Sequence, residues 1–137
     1  IDERATAFVF EPPLGYDPAD AATLPDGRVL ILLRALSLRG FPPFDAKLVV
    51  ADPAGIEAGR PWPWREVAHL SAFAPRENYE GLAVLPGESG LELWLVSDSN
   101  HTVLAQRTLL LKLIWMDWRR ARQAPAARAV RRPARLS

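Results

Sequence analysis

The chain has 137 residues, 49% apolar and 24% charged, a balance that suits one globular domain with a modest core. It has no cysteine and only two histidines, so disulfide staples and thiolate sites are excluded and a zinc enzyme is not expected. Its formal charge of +1 is unevenly spread. Residues 1–115 carry 10 Lys/Arg against 15 Asp/Glu, a net −5, and residues 116–137 carry 7 Arg against one Asp, a net +6.

No run reaches the roughly 18–20 apolar residues of a membrane helix, and the longest, Leu109–Met116, is broken by Lys112. Ile1-Asp2-Glu3-Arg4 shows neither an initiator Met nor a signal-peptide pattern, and reads as an internal start.

Short apolar runs bounded by Gly, Pro, Ser and Asn predict strands throughout. Thr6–Phe10 is the first, ended by Pro12-Pro13. Gly15-Tyr16-Asp17-Pro18-Ala19-Asp20 is turn chemistry leading into a strand at 21–24, and Pro25-Asp26-Gly27 is a tight-turn signal. Arg28–Leu36 follows, and its unbroken run Leu30–Leu33 predicts a strand buried on both faces. Further strands are expected at 46–51 and 66–73, separated by a Pro/Trp-containing crossover. Tyr79–Leu85 and Leu91–Val96 form a hairpin around Pro86-Gly87-Glu88-Ser89-Gly90, with residue numbers pairing to a sum of about 176. Gln106–Trp115 then completes a meander.

Two segments repeat. Ala22, Leu24 and Pro25 align with Ala83, Leu85 and Pro86 at one constant offset. A unit of about four short antiparallel strands at that period predicts the blade of a β-propeller. The fold expected is therefore all-β, with about two blades at 16–73 and 79–115. Residues 1–115 form the body, the C-terminal portion of a larger propeller whose other blades come from an N-terminal part. The strand at 6–10 belongs to a preceding blade. Residues 116–137 are Ala/Arg/Pro-rich, too poor in large apolar side chains to fold, and read as a disordered basic tail rather than a nucleic-acid contact.

In this order and spacing, four stretches carry a resemblance that covers roughly Phe8 to Trp115. They are Gly15–Asp20 with Leu24–Arg28, Asn78-Tyr79-Glu80-Gly81-Leu82-Ala83, Ser97-Asp98-Ser99-Asn100, and Gln106-Arg107-Thr108-Leu109-Leu110. The chain resembles the "esterase-like activity of phytase" family. The resemblance implies a propeller-like, periplasmic or secreted protein whose acids serve Ca²⁺-dependent hydrolysis of a small phosphoester or phosphodiester. Two departures stand out. Glu77 replaces the family's usual Asp before the Asn, and Ser99 replaces the second Asp of a Ser-Asp-Asp-Asn motif, which removes one carboxylate.

The polar residues gather at one end of the meander. Asn78 and Glu80 open one strand, Asp98 and Asn100 close the next, and Arg107 opens the third. The hairpin register sets Asn78 opposite Asp98 and Glu80 opposite Val96. Oxygen atoms of Asn78, Glu80, Asp98 and Asn100 suit Ca²⁺. Glu80, Asp98 and Arg107 are the catalytic candidates, with Arg107 donating to a phosphate. The alternative is a non-catalytic ligand- or partner-binding propeller in which these acids are turn formers and ion-pair ties, Glu80 with Arg107 among them. His101 is read as an exposed loop residue, His69 as an ordinary strand-face residue, Asp17 and Asp20 as the corresponding rim of the earlier blade, and Trp62, Trp64, Trp94 and Trp115 as blade packing.

Overall fold

The structure is a computed structural model and describes residues 6–98 and 108–120. The first sheet is β1 (Asp17–Thr23), β2 (Val29–Leu36), β3 (Phe44–Ala51) and β4 (Trp64–His69). The second is β5 (Tyr79–Gly87), β6 (Gly90–Ser97) and β7 (Leu110–Trp115). Each is an antiparallel meander whose spatial order follows the chain. Among the described residues there is no α-helix, and the two 3₁₀ turns between strands are Pro53–Gly55 and Leu70–Ala72. The fold is all-β, in two open blade-like sheets of four and three strands.

Local chemistry sets the turns. Leu24 accepts from Gly27, whose φ of 86° closes the β1–β2 hairpin, and the Leu24 amide donates to Arg28 at 2.8 Å. Beyond that turn β2 runs through the middle of its sheet, and Leu30, Ile31, Leu32 and Leu33 are all buried. Both faces are covered because they serve different cores. Leu30 and Leu32 pack with Leu48, Val50, Tyr79, Leu82, Leu93 and Leu95 in the seam between the sheets. Ile31 and Leu33 join Val49, Ala51 and Trp62 on the far side, with Phe10 and Tyr16 against them.

The repeat survives in three dimensions. Pairing skips Ala19 in β1 and Glu80 in β5, so each first strand carries a bulge at the same place in the aligned segments. The hairpin register sum of 176 holds at Tyr79–Ser97. It then shifts by one, so Val96 lies opposite Gly81 and Glu80 stands out of the ladder.

Several expectations change, and the strand expected at 66–73 spans Trp64–His69, with a 3₁₀ turn following at Leu70–Ala72. β1 begins at Asp17 rather than at residue 21, because Asp17-Pro18-Ala19-Asp20 is a bulged strand start instead of a turn. Pro18 is tolerated there because β1 is an edge strand. Residues 6–10 form no strand but a single parallel bridge, Val9 to Pro61, with Phe8 and Phe10 edge-on to the Trp62 ring. The packed body also continues past residue 115. Trp118 is buried in the seam core, and its carbonyl accepts from Arg28 at 3.1 Å.

Candidate functional site

The rim is built where β1, β2 and β5 meet. Even-numbered residues of β2 face the second sheet, so Arg34 follows Leu30 and Leu32 on that face but emerges at the strand end. Its Nη1 donates to Asn78 Oδ1 at 3.0 Å and to Glu80 Oε1. Asn78 is 3% exposed and donates its Nδ2 to the same Glu80 oxygen at 2.8 Å. The bulge turns Glu80 toward this junction. One residue on, Gly81 lets the strand come close: a Cβ there would lie 2.5 Å from Val96 Cγ1 and 4.0 Å from Asp20 Oδ2. Asp20 Oδ2 in turn accepts the Leu82 amide at 2.7 Å, a hydrogen bond from one sheet to the other.

Of the residues expected from the sequence, Asn78 and Glu80 are brought together. Asp98 stands beside them, its amide donating to the Asn78 carbonyl at 3.0 Å. Ser97 is buried and ties the start of the third strand, its Oγ accepting from Leu109 at 2.9 Å. Asn100, His101 and Arg107 lie outside the described residues. Among the described residues the charged partner of Glu80 is Arg34, which the sequence did not single out. A signal for it existed: a lone arginine on the buried face of an apolar strand needs a partner at the strand end.

The arrangement around Glu80 suits a guanidinium. Asn78 Oδ1 and Glu80 Oε1 both face Arg34, and Asn78 turns an NH₂ group, which cannot ligate a cation, toward Glu80. Ca²⁺ takes about 6–8 oxygens, and among the described residues no group of three or more His, Cys, Asp or Glu converges. Among the described residues, Glu77 Oε2 is buried with no hydrogen-bond partner. The neighbouring Tyr79 hydroxyl is pushed up to about 12 by burial and then by the charge of Glu77.

A second polar cluster sits on the far face of the first sheet. Asp45 accepts from Tyr16 at 2.6 Å, from His69 Nε2 at 2.8 Å, and from the Ser71 hydroxyl. Burial alone would raise the Asp45 carboxyl. The hydrogen bonds from Ser71, Tyr16 and His69, with the His69 charge, outweigh it and hold the group at about 2. Burial first, and then the bond to Asp45, push the Tyr16 phenol upward. Ser71 and His69 both turn to Asp45 rather than to each other, so the cluster lacks the nucleophile–base contact of a hydrolytic triad.

The two open antiparallel sheets are consistent with partial blades of a propeller-like domain. The chain matches the family described as "Phytase-like: Esterase-like activity of phytase" over residues 3–101 and belongs to it. No curated protein and no solved structure matches the chain. No described helix is long and apolar enough to cross a membrane.

Proposed function

We propose that the rim formed by Arg34, Asn78 and Glu80 recognises the phosphoryl group of a small phosphoester. The observation that carries this reading is a contrast between two ion pairs. Arg28–Asp26 is 8% and 7% exposed and clamps a buried backbone carbonyl, as a purely structural pair does. Arg34–Glu80 is 41% and 39% exposed, sits on a bulge, and holds a planar guanidinium in place while leaving it accessible. Arginine matches phosphoryl oxygens through paired donors, and bulges gather next to functional sites. Glu80 stands beside the bound ester and is the base that hydrolysis would use, with Asp98 as the second acid. Membership of a phytase-like family fits phosphoester chemistry, and the resemblance implies a periplasmic or secreted location and calcium as a candidate ion. The geometry around Glu80 favours the arginine over the ion.

A second reading has its own support. The Asp20–Leu82 bond and the Arg34–Glu80 pair both cross from one sheet to the other, so the rim also serves as a tie between blades. Titration with phenyl phosphate and turnover of bis(p-nitrophenyl) phosphate, each with and without calcium, separate the two. Arg34→Ala should weaken phosphate-ester binding at least about tenfold, with little change in melting temperature. Unchanged binding in that variant leaves only the structural tie.

A further inference from the structure

Five highly exposed apolar side chains gather at one end of the first sheet. β1 begins there at Asp17 opposite Arg34, β2 and β3 meet there at Leu36 and Phe44, and β4 ends there at His69. Three connections project from that end. Leu14 tips the turn before β1, closed by the Tyr16 amide on the Pro13 carbonyl at 3.0 Å with Gly15 at a φ of 84°. Leu36 ends β2, Leu38 and Phe41 stand on the β2–β3 loop, and Phe73 follows the 3₁₀ turn after β4. These five are between 63% and 98% exposed. Turn tips ordinarily carry Gly, Pro, Asn, Asp or Ser. The turns at the opposite end of the same sheet do so, with Pro25-Asp26-Gly27 and Asp52-Pro53-Ala54-Gly55.

The β2–β3 loop is braced in this position. The Ser37 amide donates to the Pro43 carbonyl at 2.9 Å, the Phe44 amide to the Pro42 carbonyl at 2.8 Å, and Arg76 Nη1 to the Phe44 carbonyl at 3.1 Å. A Cβ on Gly40 would lie 2.7 Å from Arg76 Nε, so that guanidinium lies against the loop. Basic charge accompanies the apolar tips. Residues 34–44 hold Arg34 and Arg39 and no acid, and Arg76 adds a third cation. Asp45, next in the chain, is taken up by Tyr16, His69 and Ser71, and Glu80 by Arg34. Propeller blades stack through the faces of their sheets. Connections at the strand ends lie outside that stacking, however many further sheets a ring holds.

We propose that this end of the first sheet docks on the surface of a phospholipid bilayer, with Leu38 and Phe41 entering the acyl boundary and Arg39 and Arg76 meeting headgroup phosphates. Side chains this exposed project from three separate turns instead of lining a cleft. A fluid lipid surface moulds itself to such tips, whereas a protein partner would have to supply a matching pocket for each. Leu and Phe beside arginines are the side chains that hold peripheral proteins at the lipid interface, through buried apolar area and attraction to anionic headgroups. A loop already braced loses little freedom on binding. Arg34 stands on the same strand end, so docking brings the rim to the layer of headgroup phosphates. Docking itself does not depend on what the rim binds.

Flotation of the full chain with vesicles of phosphatidylcholine, with and without phosphatidylglycerol, reads the docking, and far-UV circular dichroism confirms that each variant is folded. The wild type should bind both, more tightly with phosphatidylglycerol. Leu38→Ser and Phe41→Ser should each weaken binding about tenfold, the scale of one large side chain withdrawn from lipid. Leu14→Ser, on a separate turn, should weaken it as well, and Arg39→Ala should reduce the gain from phosphatidylglycerol. Ile114→Ser, at an exposed position on β7 toward the other end of the second sheet, should bind as the wild type does. Wild-type chain that binds neither vesicle, or a loss in Ile114→Ser equal to that in Leu38→Ser, would overturn the proposal. So would binding that needs phosphatidylglycerol, vanishes as salt rises and is unchanged in Leu38→Ser and Phe41→Ser, since it would belong to the basic residues 116–137.

Discussion

Two parallel double-mutant cycles separate a rim pair held ready for a ligand from a pair that holds the fold. The first combines Arg34→Ala and Glu80→Gln, and the second combines Arg28→Ala and Asp26→Asn. Arg34 and Glu80 are 41% and 39% exposed, so water solvates both charges and their coupling should be about 0.5 kcal/mol. Arg28 and Asp26 are 8% and 7% exposed. Removing Asp26 alone leaves a buried guanidinium uncompensated and should cost about 3 kcal/mol. At roughly 4 °C per kcal/mol for a chain of this length, a coupling of that size moves Tm by about 2 °C and loss of Asp26 moves it by about 12 °C. Urea unfolding followed by circular dichroism reads both. A coupling of about 2 kcal/mol or more between Arg34 and Glu80, well above what exposed pairs give, would refute the reasoning. A pair that strong is holding the seam together rather than waiting for a ligand.

Three further outcomes follow from the packing. Leu32 is fully buried in the seam, so Leu32→Ala should cost about 3 kcal/mol through lost burial and the cavity left behind, measured by the same unfolding assay. Asp45 is held at about 2, below its ordinary 3.8, so its contribution of about 2 kcal/mol is complete above the ordinary value and lost as pH falls toward 2. Asp45→Asn should therefore be destabilised near neutral pH and converge on wild type near pH 2, seen in unfolding curves across that range. Gly90 has φ of 153°, and a Cβ there would lie 2.5 Å from the Trp115 carbonyl oxygen. Gly90→Ala should lower Tm by more than a surface substitution does, since backbone atoms have to move.

Much of the fold was legible because burial leaves a direct mark on sequence. Leu30–Leu33 announces a strand covered on both sides, and the hairpin of β5 and β6 follows from Pro86–Gly90 between two apolar runs. The constant offset between Ala22-x-Leu24-Pro25 and Ala83-x-Leu85-Pro86 exposed the repeat, which then reappears as matched bulges at Ala19 and Glu80. What escaped depends on contacts between distant segments. Asp17–Asp20 reads as a turn locally and becomes a strand only because β2 pairs with it. Trp118 lies beyond the last strand amid arginines, and only the seam and Arg28 explain its burial. At the site, Asn78 and Glu80 were visible from their spacing. Arg34 is 46 residues away from Glu80, and nothing local ties the two. The bulge that sets Glu80 outside the ladder is likewise a property of the pairing, not of the tripeptide.

The central claim is that an accessible arginine, steadied by Asn78 and Glu80, takes a phosphoryl group. Calorimetric titration of the wild-type chain and of Arg34→Ala with phenyl phosphate tests it most directly. Binding to the wild type should be saturable, and the variant should lose at least about tenfold in affinity, the scale of a charge-assisted hydrogen bond. Equal affinity in the two proteins, or no binding to either, would contradict it.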